Sequence, residues 1–304
     1  MPELPDLTVY VEAAERVVRG QVLQATRLGS PFVLRTAEPP LSSLVGRRVV
    51  SVARLGKQLV FGFEGEFFAV VHLMVSGRLF FKAKGAALAG KSGLFAFDFE
   101  RGTLLLTEVS TKKRAALRVV HGLDALAALD RGGIEVMEAS LPVFAEALRR
   151  ENHTLKRALT DPRLFAGIGN AYSDEILHRA KLSPVRLSQK LSEGEVMRLF
   201  NAAHACLAEW TQTLRVEAGN SWPDKVTAFR AGMAVHGRFR EPCPVCHAAV
   251  QRIVYAENET NYCPHCQNDG KLLADRSLSR LLKDDWPKTL DELEEYVASR
   301  SPSR

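Results

Sequence analysis

Residues 243–266 read CPVCHAAVQRIVYAENETNYCPHC and contain four of the five cysteines of this 304-residue chain. The cysteines form two C-x2-C pairs, Cys243 with Cys246 and Cys263 with Cys266, separated by sixteen residues. This spacing lets four thiolates surround one tetrahedral ion while the intervening residues form a hairpin. An odd cysteine count without a secretory signal argues against disulfides. We therefore predict one structural zinc ion, whose four sulfur ligands leave no position for water or substrate.

Between about residue 122 and this hairpin, the sequence pattern is mainly helical. Apolar residues recur at helical spacing, and Ser192 with Glu195 forms a capping box before the longest predicted helix. The predicted helices cover residues 122–129, 141–150, 154–159, 171–180 and 193–214. Residues 216–240 show no regular pattern, and a short helical tail is expected after residue 275.

The N-terminal part is β-rich apart from one helix beside the terminus, for which we predict Asp6 as N-cap and Gly20 as the end. Short runs rich in β-branched and aromatic residues predict an antiparallel sheet or sandwich, so the fold class is α+β. The predicted strands cover residues 48–55, 58–63, 67–74, 94–99 and 103–107.

Composition indicates a globular protein of about two domains. The chain is 46% hydrophobic and 25% charged, and it is longer than a usual single domain. No apolar stretch is long enough to cross a bilayer, and the opening MPELPD is acidic, so neither a membrane anchor nor a signal peptide is expected. The net charge of +6 favours polyanions such as nucleic acid, although ordinary surface charge explains it equally well.

Several short segments carry a family resemblance. MPELPD opens the chain, Leu55-Gly56-Lys57 follows, and residues 72–79 contain the sequences HL and SGRL. Residues 159–180 read LTDPRLFAGIGNAYSDEILHRA, and residues 237–267 contain the cysteine hairpin. In this order the segments resemble the formamidopyrimidine-DNA glycosylase and endonuclease VIII family, over nearly the whole chain.

The resemblance implies a division into four parts. Residues 1–125 would form an N-terminal β-sandwich catalytic domain with flanking helices, and residues 135–235 a helical helix-two-turn-helix domain that binds DNA. Residues 236–272 would form the four-cysteine zinc hairpin, and residues 273–304 a helical tail.

The resemblance also implies that Pro2, Glu3 and Lys57 are catalytic, and elementary chemistry supports Pro2 as the nucleophile. An attacking amine must be unprotonated, and an α-amino group has a pKa of about 7.7–8.0 against about 10.4 for lysine. Once Met1 is removed, the Pro2 amine could displace a damaged base from the sugar and allow strand elimination, with Glu3 moving protons. Lys57 would contact phosphate or assist the leaving base; a solvated turn lysine is the alternative.

A base inside a duplex must be flipped out before excision, and phosphate contacts must supply the energy. Asn170, at the end of the segment GIGN, is expected to bind phosphate together with backbone N–H groups. Relatives of the bacterial type carry a hairpin arginine where this chain has Asn258. Either Asn258 binds phosphate without neutralising it, or Arg252 or Arg276 replaces the missing charge.

The residues expected to fill the space left by the flipped nucleotide also depart from the family pattern. Val75 stands where many relatives have methionine, and no aromatic residue follows Arg114. His72, Met74, Val75 and Arg114 are the candidates for this DNA contact, although Met74 and Val75 suit a strand core equally well. The loop around residues 216–235, which covers the extruded base in relatives, is irregular here, so the choice between oxidised purines and pyrimidines stays open.

We therefore expect a bifunctional DNA glycosylase and AP lyase that acts as a monomer on damaged double-stranded DNA, in the cytoplasm at the nucleoid. The alternative is a catalytically weak or inactive protein of the same fold that binds damaged DNA without cutting it. An unrelated enzyme with an accidental zinc ribbon would explain neither the N-terminus nor residues 159–180.

Overall fold

The computed structural model describes residues 1–224, 226, 230–255, 258–273 and 286–300. The chain divides into two compact units. The first is built from Met1–Gly133 and Leu207–Ala228, and the second from Ile134–Cys206 and Phe229–Arg304. The division into four functional parts stays a prediction.

The first unit contains two four-stranded antiparallel sheets, which confirms the predicted sandwich. Its strands are β1 (Ala25–Leu28), β2 (Val49–Leu55), β3 (Gln58–Phe63), β4 (Phe67–His72), β5 (Gly77–Lys82), β6 (Gly93–Asp98), β7 (Thr103–Glu108) and β8 (Ala116–His121). One sheet has the order β2-β3-β4-β8 and the other β1-β6-β7-β5.

The inner faces of both sheets share one apolar core with helix α1 (Leu4–Val18). Phe61 of β3, Phe95 of β6 and Leu7 of α1 are all completely buried. Since successive strand residues point to opposite faces, each sheet turns only alternate side chains to this core. The packing of α1 against the sheets fixes the position of the N-terminus.

The described residues of the second unit form helices and one two-stranded hairpin. Its elements are α3 (Leu141–Arg149), α4 (Leu155–Thr160), α5 (Asn170–Ala180), the first part of α6 (Glu193–Ala218), β9 (Gln251–Tyr255), β10 (Asn258–Tyr262), α7 (Pro264–Asn268) and α8 (Leu290–Arg300); α2 (Leu123–Ala127) belongs to the first unit. Phe144, Phe165 and Phe200 form its aromatic core. In the part of the chain that is described, no helix has the length and apolar character needed to cross a membrane.

The predicted helices are confirmed to within a few residues, including the capping box. The Ser192 N–H donates to the Glu195 carboxylate at 2.8 Å, and the Glu195 N–H donates to Ser192 Oγ at 3.3 Å. The N-cap prediction at Asp6 is wrong, because α1 begins at Leu4 with Glu3 as its N-cap. Strands β1, β5 and β8 were not predicted, and β4 ends at His72 rather than at Met74.

Candidate active site and DNA-facing surface

Helix α1 holds the N-terminus against the sandwich. Proline is tolerated in a first helical turn, where Pro5 lies, and the Asp6 carboxylate accepts a hydrogen bond from the Glu3 backbone N–H at 3.0 Å. Pro2 and Glu3 are buried, whereas Met1 is partly exposed. The terminus is therefore the ordered start of a packed helix.

The N-terminal amine lies in a desolvated environment and feels the charges of both cations and carboxylates. Burial lowers the pKa of the Met1 amine; Glu3 and Asp6 oppose this shift, and the charges of Arg78 and Lys57 add to it. More of the amine is therefore unprotonated near neutral pH than in a solvated peptide. Arg78 was not a predicted site residue, and its place in the SGRL segment was its only signal in the sequence.

Lys57 reaches this environment from a two-residue hairpin turn. Leu55 pairs with Gln58 across β2 and β3, which leaves Gly56 and Lys57 as the turn. Gly56 has φ 57, a left-handed value that glycine adopts easily at the first central position of a tight hairpin turn. The charge of Lys57 acts on both the Met1 amine and the His72 ring, so these groups lie at the same end of the first unit.

His72, the last residue of β4, is a neutral hydrogen-bond acceptor. Its Nδ1 accepts the Met74 backbone N–H at 3.0 Å. Burial lowers the pKa of His72 to about 4, with help from the charges of Lys57 and Arg118. Since Nδ1 is unprotonated, the ring proton is on Nε2, which leaves one donor N–H. The same hydrogen bond holds Met74 at φ 53, a value that residues with side chains seldom adopt.

The lowered pKa of His72 predicts that acid destabilises the protein between about pH 6.5 and pH 4. His72 has a folded-state pKa of about 4, against 6.5 for a free histidine. Below pH 6.5 the unfolded chain therefore binds more protons, and the free energy of unfolding should fall by roughly 3 kcal/mol as the pH reaches 4. Urea titrations at several pH values should show a shallower fall for His72→Gln. The exposed His121 provides the control, since His121→Gln should keep the wild-type profile.

A buried carboxylate connects the two loops that carry the candidate DNA contacts, residues 73–76 and residues 109–115. Glu108 is only 1% exposed. One of its oxygens accepts the Ser76 hydroxyl at 3.2 Å, and the other accepts the Arg114 backbone N–H at 2.9 Å. The loops are therefore positioned by one shared group, which the sequence did not reveal.

Val75 and Val109 are exposed apolar side chains on these loops. Val75 is 62% exposed and Val109 is 81% exposed. The strand-core alternative for Met74 and Val75 is wrong, because β4 ends before both residues. Val109 was not predicted; its only sequence signal is a lone apolar residue in the polar run EVSTKKR. Exposed apolar side chains close to cations such as Arg114 are typical of a protein surface that contacts the bases and phosphates of DNA.

Asn170 begins α5 in the second unit and is anchored by a lysine. The Lys156 Nζ donates to the Asn170 carbonyl and to the Asp174 carboxylate, both at 2.6 Å. Gly169 is the N-cap, and Gly167 has φ 82, so the turn before Asn170 favours a glycine. The backbone at the helix start is thus fixed, while the phosphate contact of Asn170 stays a prediction.

The four hairpin cysteines converge on one point. Their sulfurs all lie within 4.8 Å of one another. The Cys246 and Cys263 sulfurs are 3.3 Å apart, and the Cys243 and Cys266 sulfurs are 3.9 Å apart. Four thiolates placed tetrahedrally at about 2.3 Å from zinc have sulfurs about 3.8 Å apart. The residues therefore fit one structural zinc ion, as the sequence predicted.

The candidate phosphate contacts of the hairpin occupy different environments. Asn258 is exposed at the start of β10. Arg252 forms an ion pair with Glu259 at 3.2 Å, and its guanidinium lies 4.4 Å from the centre of the Phe239 ring. Arg276 lies outside the described residues. Because Glu259 already pairs with Arg252, the charge of that arginine is partly neutralised.

Three family descriptions match successive parts of the chain. They are the N-terminal domain of formamidopyrimidine-DNA glycosylase at residues 1–116, its H2TH domain at residues 135–219, and the zinc finger found in FPG and IleRS at residues 240–268. A formamidopyrimidine-DNA glycosylase of Thermus thermophilus is 33% identical over 89% of this chain and 100% of its own length. The chain belongs to the formamidopyrimidine-DNA glycosylase family.

Solved structures of formamidopyrimidine-DNA glycosylases share the fold. A mutant Lactococcus lactis enzyme in complex with Fapy-dG DNA is 26% identical, with a TM-score of 0.76, over 88% of this chain and 100% of that chain. The wild-type L. lactis enzyme in complex with DNA that contains an oxidised pyrimidine is 25% identical, with a TM-score of 0.77 and the same coverage. The family resemblance, the α+β class with its helix-two-turn-helix element, and the zinc finger are thereby confirmed.

Proposed function

We propose that this protein is a base excision repair glycosylase that removes oxidised bases from duplex DNA and then cuts the strand, with the Pro2 amine as nucleophile. Membership of the formamidopyrimidine-DNA glycosylase family supports the excision step. The observation that carries the nucleophile is the burial of Pro2 at the start of α1, where burial and the charges of Arg78 and Lys57 also lower the pKa of the preceding Met1 amine. Since L. lactis relatives bind both Fapy-dG and oxidised-pyrimidine DNA, either lesion class is a candidate substrate.

The first step requires the removal of Met1, which uncovers the Pro2 nitrogen. The lone pair of the Pro2 nitrogen attacks the sugar C1′. The bond between C1′ and the base then breaks, and its electrons leave with the base. The base takes up a proton, for which Lys57 is the proposed donor. The proton on the Pro2 nitrogen passes to the Glu3 carboxylate and then to the ring oxygen O4′. The C1′–O4′ bond opens, and an iminium joins Pro2 to the sugar.

The second step cuts the strand. The positive iminium acidifies the proton on C2′, and the Glu3 carboxylate, free again, is placed to accept it. The electrons of that C–H bond form a C2′–C3′ double bond as the C3′–O bond breaks, and the 3′-phosphate leaves. Water then hydrolyses the iminium and restores the amine.

We propose that the protein binds damaged duplex DNA as a monomer. In the first unit, the Nε2–H of His72 and the loops with Met74, Val75 and Arg114 would face the duplex near the flipped nucleotide. In the second unit, Asn170 and Asn258 would bind phosphate. The buried Glu108 supports the contacts proposed for the first unit, because its carboxylate orders both loops that carry them.

Borohydride trapping distinguishes an enzyme from a protein that only binds damage. Borohydride reduces the iminium to a stable amine, so a duplex with one abasic site should become covalently attached to the protein. An undamaged duplex of the same sequence should give no attachment. If the protein binds the abasic duplex but never becomes attached, the protein is a damage binder and the proposed lyase chemistry is wrong.

The exposed Asn258 offers a gain-of-binding prediction. Asn258→Arg adds a charge that can pair with phosphate, so we expect roughly tenfold tighter binding to abasic duplex at moderate salt, about 1.4 kcal/mol. The slope of log affinity against log salt should become steeper by about 1. Fluorescence anisotropy at four salt concentrations measures both values. An Asn258→Gln variant keeps the amide and should match the wild type; an unchanged slope in the arginine variant would place residue 258 away from phosphate.

A further inference from the structure

One histidine of helix α5 contacts the zinc site. The Nε2 atom of His178 lies 3.3 Å from the Cys243 sulfur, and both residues are buried, Cys243 completely. No sequence pattern connects the two residues, since they are 65 residues apart. Neither the four-cysteine spacing nor the zinc-finger match at residues 240–268 includes His178.

The direction of this hydrogen bond follows from the chemistry of the sulfur. A thiolate bound to zinc carries no proton, so the hydrogen in the contact must come from the imidazole Nε2. Four thiolates around one divalent zinc carry a net charge of about −2, and burial makes such a charge costly unless donors face it. The imidazole N–H is a donor of this kind.

Two further side chains of α5 hold the segment that leads into the zinc hairpin. The Asp174 carboxylate is 2.8 Å from His236 Nδ1, and the Glu175 carboxylate accepts the backbone N–H groups of Val235 and His236, both at 2.9 Å. His178 lies one turn beyond Asp174 and therefore on the same face of the helix. The contact with Cys243 is thus held by a docked helix, and His178 is not a loose side chain that meets the sulfur by chance.

We propose that His178 belongs to the outer shell of the zinc site, where its Nε2–H donates to the Cys243 thiolate, stabilises the buried thiolate charge and helps to retain the ion. Outer-shell partners of metal ligands typically change metal affinity by about 10–100-fold when they are lost. His178 is therefore a positioning residue for the zinc site and not a fifth ligand.

Chelator competition on the full chain tests this proposal. His178→Phe keeps an aromatic ring and His178→Leu keeps an apolar side chain, but both lack the donor; each should bind zinc about 10–100-fold more weakly than the wild type. His178→Gln retains an N–H donor and should recover at least several-fold of that loss. His265 is exposed in the same hairpin, so His265→Ala should hold zinc as the wild type does.

Two outcomes would overturn the proposal. If the phenylalanine and leucine variants retain zinc as tightly as the wild type, the contact does not stabilise the site. If His178→Gln binds zinc as weakly as both apolar variants, the effect comes from packing and not from a donated hydrogen bond. Because the readout is zinc affinity, the result does not depend on whether the protein cleaves DNA.

Discussion

A form of the protein that keeps an additional segment before Pro2 should lose strand cleavage and borohydride trapping by roughly 10⁴-fold or more, the scale seen when an enzyme loses its nucleophile. In that form the Pro2 nitrogen is part of a peptide bond, and its lone pair is delocalised into the carbonyl group. Lys57 is a poor replacement because a lysine amine is mostly protonated at neutral pH. Single-turnover nicking of a duplex with one abasic site measures the loss.

The matched control is the same chain beginning at Pro2. Both forms should bind the abasic duplex with similar affinity, because the proposed phosphate contacts lie elsewhere, on groups such as Asn170 and Asn258. Equal binding with unequal cleavage would locate the chemistry at the terminal nitrogen. Wild-type cleavage by the extended form would rule out Pro2 and leave Lys57 as the amine to test.

Local patterns predicted the parts of the fold that depend on neighbouring residues. The cysteine spacing fixed the zinc hairpin, and the capping box at Ser192 located the start of α6. Strand β1 escaped prediction because it has only four residues and no clear alternation. Its extended conformation depends on pairing with β6, to which the Arg27–Asp98 ion pair at 2.7 Å adds a link across 71 residues.

The candidate active site likewise combines residues that short sequence segments reveal with contacts that form only when distant residues meet in the fold. Pro2, Glu3 and Lys57 could be proposed because their short segments resemble a family, and the amine chemistry supported the choice. The role of Glu108 could not be foreseen, since its partner Ser76 is 32 residues away and the bond forms only when β5 and β7 pair. The contact between His178 and Cys243 depends on the docking of the hairpin segment to a helix, which no local pattern encodes.

Replacing one zinc ligand should unfold the hairpin. Cys263 is completely buried in a small cluster whose other buried members are Val235, Cys243 and Val250. So few apolar side chains cannot order the hairpin alone, whereas zinc contributes about 10–16 kcal/mol to sites of this kind, as much as the stability of a whole domain. Cys263→Ala should therefore purify with much less than one zinc per chain. Limited proteolysis should cut within β9 and β10, and phosphate-dependent DNA binding by Asn258 should be lost.

The fifth cysteine supplies the control for this experiment. Cys206 is also buried, at 3% exposure, but it lies on α6 away from the zinc cluster. Cys206→Ala removes a thiol from a packed interior and should keep one zinc per chain and a protease-resistant hairpin. A variant of Cys263 that retained both properties would show that three thiolates are enough to order the hairpin. If instead only Cys263→Ala loses zinc, the loss reflects a missing ligand, because both substitutions remove a buried sulfur.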